Sequence, residues 1–298
     1  MLVLLCGCEK SAEKPDQVPG SRTLSVYVVN YPLKYFAKRI GGERVQVRFP
    51  APADEDPAYW SPGSDVIAAY QQADLVLLNG ADYARWISKV SLPSSKLVDT
   101  SGASQDRLIK LKDHATHTHG PEGEHAHGRL AFTTWLDPTL AVEQARAVKD
   151  ALVAKLPDRK IEFANRFAEL EKDLLKLDKQ LESVVSADSQ RPLIFSYPVY
   201  QYLARRYGLN ARSVHWEPDE TPTEVMWADI QQLLAGHPAR WMIWEAEPAA
   251  VIVAGLRELG VESVVFDPCG NAPARGDFLA AMLKNLADFQ IVYGNRSL

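Results

Sequence analysis

The chain has 298 residues, 46% of them hydrophobic and 24% charged, with a net charge of −5. That length exceeds what one hydrophobic core ordinarily organises, so two units of ordinary size are expected. The charge balance offers no basic stripe and excludes nucleic acid as a partner class, and no interior stretch approaches the ~18 apolar residues that span a bilayer.

In chain order, an apolar hexapeptide passes through Leu5-Cys6-Gly7-Cys8 into a polar stretch rich in Lys, Glu, Ser and Pro. The order of apolar run, cysteine and polar run resembles a bacterial lipobox. It implies a signal remnant over residues 1–7, lipidation at Cys8 and a tether over 8–22, hence a lipid-anchored protein on the extracytoplasmic face of the envelope. With Cys8 acylated and Cys6 removed, only Cys269 is left, and no intrachain disulfide forms.

Beyond the tether, short β-rich runs alternate with amphipathic helical patterns, the signature of parallel α/β structure. The first half predicts strands at 24–29, 45–49, 74–79 and KLVDT ending at Thr100, with helices at 32–42, 64–73 and 81–90. The second half predicts strands at 192–197, 211–216, 240–245 and 262–267, each followed by a helix, the last starting near Asp277. Residues 158–187 contain neither Pro nor Gly and carry apolar residues near helical spacing, which makes one helix of about 45 Å. The expected fold is α/β: two lobes, 23–157 and 188–298, each with a mainly parallel four-stranded sheet flanked by helices, joined by one long rigid helix. Its apolar positions, Ile161 included, drift off a strict heptad, which favours a bridge within a monomer over a coiled-coil dimer.

Five of the seven histidines fall in HATHTHGPEGEHAH: His114, His117, His119, His125 and His127. The loop 113–128 that holds them is rich in Gly and acidic residues. Such a tract wraps divalent transition metals and loses them as imidazole protonates below about pH 6.5. No nucleophile elbow, HExxH, P-loop or GxGxxG pattern occurs, so nothing points to an enzyme.

Ligands of open α/β sheets bind beyond the carboxyl ends of the strands. The strand-end loops are DEDPAYWSPGSD, AFTTWLDP, FSYPVYQY and VVFDPCG. Together with NYPLKYFAKRIGGERVQV, ADLVLLNG before Trp86, and YLARRYGL, they make the chain resemble the solute-binding proteins of zinc and manganese ABC transporters, from about Leu24 to the last helix. The interior His-rich loop resembles that of the zinc-type members. The resemblance implies a divalent cation, zinc first, captured between the lobes and delivered to a membrane permease. Three cleft histidines of that family are replaced here by Ala58, Thr133 and Tyr197, and only its carboxylate, Asp267, is in register.

Substitute donors stand at nearby strand ends: Asp56, Tyr59, His215, Glu217, Glu245 and Cys269, beside Thr133 and Tyr197. Asp267, Cys269 and His215 together would suit a soft or borderline metal. The alternative role for Asp267 is to cap a helix or form the turn before Pro268. His237, at a helix end, needs no function. Two other readings stay open. One is a cleft walled by Tyr59, Trp60, Trp135, Tyr197 and Trp216 for a non-metal small molecule, and the other is an envelope metal buffer or chaperone acting through the His-rich loop.

Overall fold

The computed structural model describes residues 23–111, 116–118, 124–126 and 130–294. The lipobox reading at Cys8, the tether, and His114, His119 and His127 lie outside the described residues.

In the first lobe β1 (Leu24–Val28), β2 (Val45–Arg48), β3 (Leu75–Leu78) and β4 (Leu97–Asp99) form one parallel sheet in the order β2-β1-β3-β4. Leu24, Val26 and Val28 are fully buried with partly covered residues between them, the two-residue period of a strand whose faces differ in depth. Helix α1 (Tyr31–Gly41) begins where the Asn30 side chain accepts the Leu33 amide at 3.1 Å. Pro32 fits its first turn, and the helix stops at Gly42, whose φ is 53°. Helix α2 (Ser64–Gln72) leads back to β3.

The helix expected at 81–90 does not form. Gly80, Ala81 and Asp82 take φ of 76°, 51° and 58°, a left-handed run that cannot enter a right-handed helix. The chain turns instead and makes only a short 3-10 segment, Arg85–Lys89. Conversely, α3 (Pro138–Lys155) is a full helix absent from the predicted elements; Asp137 caps it by accepting the Thr139 amide at 2.9 Å. Within the His-rich loop, β5 (Thr116–Thr118) and β6 (Glu124–Ala126) pair antiparallel with His117 opposite His125.

Helix α4 (Lys160–Val185) is the expected link, 26 residues and about 39 Å long. Its buried face is Phe163, Phe167, Leu170, Leu174, Leu177, Leu181 and Val184, a regular alternation of fours and threes. The drift in the sequence pattern came from Ile161, which is 78% exposed. This seam is used within the chain, where α4 packs on α1 and α3 on one side and on two second-lobe helices on the other.

The second lobe repeats the theme. Strands β7 (Leu193–Phe195), β8 (Ala211–Ser213), β9 (Trp241–Trp244) and β10 (Glu262–Val265) lie parallel in the order β10-β9-β7-β8. Helices α5 (Gln201–Tyr207), α6 (Glu224–Gly236), α7 (Ala250–Glu258) and α8 (Phe278–Val292) follow them in turn. Thr223 and Asp277 cap α6 and α8. Among the described residues no helix is long and apolar enough to cross a membrane.

The lobes touch directly. The Trp135 indole N–H donates to the Pro268 carbonyl at 2.7 Å, the Tyr31 amide to the Gly270 carbonyl at 2.9 Å, and the Asn271 side chain to the carbonyls of Pro52 and Glu55 at 2.6 and 2.9 Å. The Tyr202 hydroxyl donates to the Ala131 carbonyl at 2.9 Å. These bonds join the two lobes on either side of the space between the two sheets.

Candidate functional site

Each second-lobe strand is followed by a polar residue in its end loop, and those after β7, β8 and β9 line the space between the lobes. Tyr197 follows β7, Glu217 follows β8, Glu245 follows β9 and Asp267 follows β10. This is the loop set that parallel sheets reserve for ligands. Opposite them, the first lobe brings Asp56 and Tyr59 from the segment after β2 and Phe132 from the approach to α3. A cavity of about 340 Å³ lies between, also lined by Val199, Asp219 and Glu220.

Glu245 is the electrostatic centre. It is recessed in the cavity wall immediately after Trp244, and its carboxyl makes no hydrogen bond or ion pair among the described residues. Burial, then the charges of Glu217, Asp56 and Asp267, push its pKa up to about 8. Asp56 shows much of its surface to solvent, but its carboxyl is closely surrounded by protein. Burial raises its pKa against the Ala58 amide, which donates to Oδ1 at 2.8 Å, and against the charge of Arg85.

Both cleft phenols stay protonated. Burial pushes Tyr59 up to about 12 although the positive charge of Arg85 opposes it, and burial carries Tyr197 higher still. The Arg85 guanidinium lies 4.8 Å from the centroid of the Tyr59 ring. The lining therefore joins carboxylates from both lobes to neutral, polarisable aromatic faces, an environment that attracts cations.

The candidate residues part company here. Asp56, Tyr59, Tyr197, Glu217 and Glu245 all line the cavity. Thr133 does not: it is buried and its hydroxyl donates to the Val199 carbonyl, tying the lobes together. Asp267 makes a turn. Its Oδ1 accepts the Cys269 amide at 2.6 Å, while Asn285 of α8 donates to its carbonyl at 2.7 Å and accepts its amide at 3.0 Å.

Cys269 is 1% exposed, at φ 58°, and burial followed by the charges of Asp267 and Asp277 drives its thiol pKa well up, so no thiolate is at hand. His215 is exposed and stands edge-on to Tyr197, ring centroids 5.5 Å apart, beside the cavity lining. The grouping of Asp267, Cys269 and His215 is thus not assembled. Among the described residues no three His, Cys, Asp or Glu side chains are set to clasp one metal ion.

Of the aromatics, Trp135 and Trp216 are core. The first bonds Pro268 and the second packs on Trp227 at 4.9 Å, so the aromatic part of the cleft is Tyr59, Phe132 and Tyr197. His237 caps the end of α6, its Nε2 2.9 Å from the Leu193 carbonyl oxygen. Phe132, Asp219, Glu220 and Arg85 were missed by sequence reasoning. Asp219 and Glu220 stand in the same strand-end loop as Glu217, which was the available signal, whereas nothing in ADYAR marks Arg85 as facing Tyr59.

Residues 26–291 match the family described as zinc-uptake complex component A, periplasmic. The chain belongs to this family. Among zinc-uptake component A relatives, the zinc-binding lipoprotein AdcA of Streptococcus pneumoniae is 25% identical over 282 residues, covering 91% of this chain and 56% of that protein. The high-affinity zinc uptake system protein ZnuA of Bacillus subtilis is 24% identical over 276 residues, covering 89% and 84%. The chain spans little more than half the length of the streptococcal relatives it matches.

In structure, the metal-dependent lipoprotein YcdH of Bacillus subtilis superposes with a TM-score of 0.78 at 20% identity, covering 91% of this chain and 98% of that one. Zn(II)-bound AdcA from Streptococcus pneumoniae gives 0.76 at 22%, covering 91% and 57%. The two-lobed, helix-linked fold is the one these proteins share.

Proposed function

We propose that this chain is the cation-capturing component of an ABC importer, taking a divalent metal, zinc first, in the cleft between its lobes and handing it to a membrane permease. The observation that carries the reading is the recessed Glu245 carboxyl, without a hydrogen-bond partner among the described residues, near the charges of Glu217, Asp56 and Asp267 and facing the cavity. Burying like charges together is costly unless a cation joins them. Membership of the zinc-uptake family supports the choice of cargo.

In this reading the protein binds and releases without covalent chemistry. It acts as a monomer anchored through Cys8 on the extracytoplasmic face, with lobes over 23–157 and 188–298 and a link over 158–187. The loop histidines His114, His117, His119, His125 and His127 gather cations, and the pairing of β5 with β6 sets His117 opposite His125. Asp267 serves by shaping the turn beside Glu245.

The test is cellular metal content in a strain lacking the gene, grown at limiting zinc. Zinc content should fall on deletion and recover with the wild-type gene but not with Glu245→Gln. Unchanged content of every divalent metal on deletion, or full recovery with Glu245→Gln, would overturn the proposal.

A further inference from the structure

The cleft is larger than a bare metal ion, and among the described residues its lining carries oxygen donors alone. A cavity of about 340 Å³ falls in the range that accommodates small organic ligands, whereas one water accounts for about 30 Å³ of liquid. Among the described residues its lining offers oxygen from carboxylates and phenols but no imidazole and no thiolate. Borderline metals such as zinc favour nitrogen and sulfur donors.

The three positions at which a zinc-type cleft would carry histidine supply none here. Ala58 is 1% exposed with a methyl side chain, the Thr133 hydroxyl is engaged by Val199, and Tyr197 forms aromatic wall. What stands at the cavity is space, carboxylates and aromatic faces.

We propose that the metal enters this cleft already held by a small nitrogen-donor chelator of amino-acid size, which supplies the missing donors and fills the remaining volume. The inference rests on the cation-capture reading above. Glu245, with Glu217 and Asp56, meets the charge of the complex, and the organic body packs between Tyr59, Phe132 and Tyr197. The charge of the wall sets the class of chelator. A zwitterionic or neutral amine or imidazole ligand leaves the complex positive and is accepted; a polycarboxylate makes it anionic and is repelled.

The test uses the full chain in detergent with the five loop histidines changed to alanine, so that cleft binding is read alone. Zinc is titrated by calorimetry with no chelator, with L-histidine, with ethylenediamine and with citrate, and the complexes are weighed by native mass spectrometry. The expected result is at least tenfold tighter zinc uptake with L-histidine or ethylenediamine, a retained mass of protein plus one zinc plus chelator, and no such gain with citrate. Glu245→Gln, and Glu217→Gln as a second variant, should lose the ternary mass.

Zinc bound equally tightly without chelator and with no chelator mass retained, or stripped from the protein by both nitrogen donors, overturns the inference while leaving metal capture intact. Absence of zinc binding in every mixture removes the inference and the cation-capture reading together.

Discussion

Arg206 of α5 grips Asp178 of α4 through two parallel hydrogen bonds, Nε to Oδ1 at 2.8 Å and Nη2 to Oδ2 at 2.6 Å. The Tyr207 hydroxyl donates to the same Oδ1 at 3.0 Å, and Asp178 is 5% exposed. This fork ties the second lobe to the linking helix. Asp178→Ala removes the partner of the buried phenol and both short bonds of a guanidinium that is 30% exposed and keeps Asp137 at 4.0 Å. A loss of about 2 kcal/mol is therefore expected. Urea unfolding of the two proteins checks it; a difference under about 1 kcal/mol would make the fork incidental.

Glu245 makes stability depend on pH. Its folded pKa, about 8, lies above the ordinary 4.5, so the folded state favours the protonated form. The stability this represents is complete below the unfolded pKa and is lost as pH rises through the folded one. Without cargo, Glu245→Gln should therefore differ little from wild type at pH 4.5 and be the more stable by on the order of 2 kcal/mol at pH 9. Melting curves across that range decide it, and a gap that narrows with rising pH would contradict the assigned environment.

Tyr197→His replaces aromatic wall by a nitrogen donor beside Glu217 and Glu245. Zinc without chelator should bind at least tenfold more tightly, about 1.4 kcal/mol or more, and its affinity should fall as imidazole protonates below about pH 6.5. Calorimetry at pH 7.5 and 5.5 reads both effects.

Asn285 of α8 is 1% exposed and makes two hydrogen bonds to the backbone of Asp267, besides a long one to the Met282 sulfur. Asn285→Ala leaves a buried amide and carbonyl wanting, at a cost of about 2 kcal/mol. Hydrogen exchange should show the Asp267 amide losing protection while the strands keep theirs; unchanged exchange would relocate the support of that turn.

Much of the fold was legible because both sheets obey simple periods. Runs such as LSVYVV and RWMIWE bounded by helical patterns announce parallel strands, and the seam from Phe163 to Val184 announces α4. Helix α3 escaped because Leu140, Ala141, Val142, Gln144, Ala145 and Val148 are all buried. A helix covered on several sides loses the one-faced contrast that marks it. Residues 81–90 misled in the opposite direction: ADYARWISKV has helical spacing, but the positive φ at Ala81 and Asp82 is a backbone fact that the pattern does not carry.

At the site, the strand-end rule found Asp56, Tyr59, Tyr197, Glu217 and Glu245. It could not separate them from Cys269 and Thr133, which occupy the same loops yet point into packing. Which way a loop side chain turns is settled by contacts distant in sequence, as with Thr133 and Val199.

The bonds between the lobes bear on how binding is observed. Trp135 to Pro268, Tyr31 to Gly270 and Asn271 to Pro52 bolt the two lobes at several points, and α4 spans both. A pair of fluorophores, one on each lobe, would register almost no change in separation when cargo arrives. A single environment-sensitive dye at Asp219, exposed and in the cavity lining, would report on the cleft itself. A biosensor made from this scaffold should be read by colour at one position rather than by distance between two.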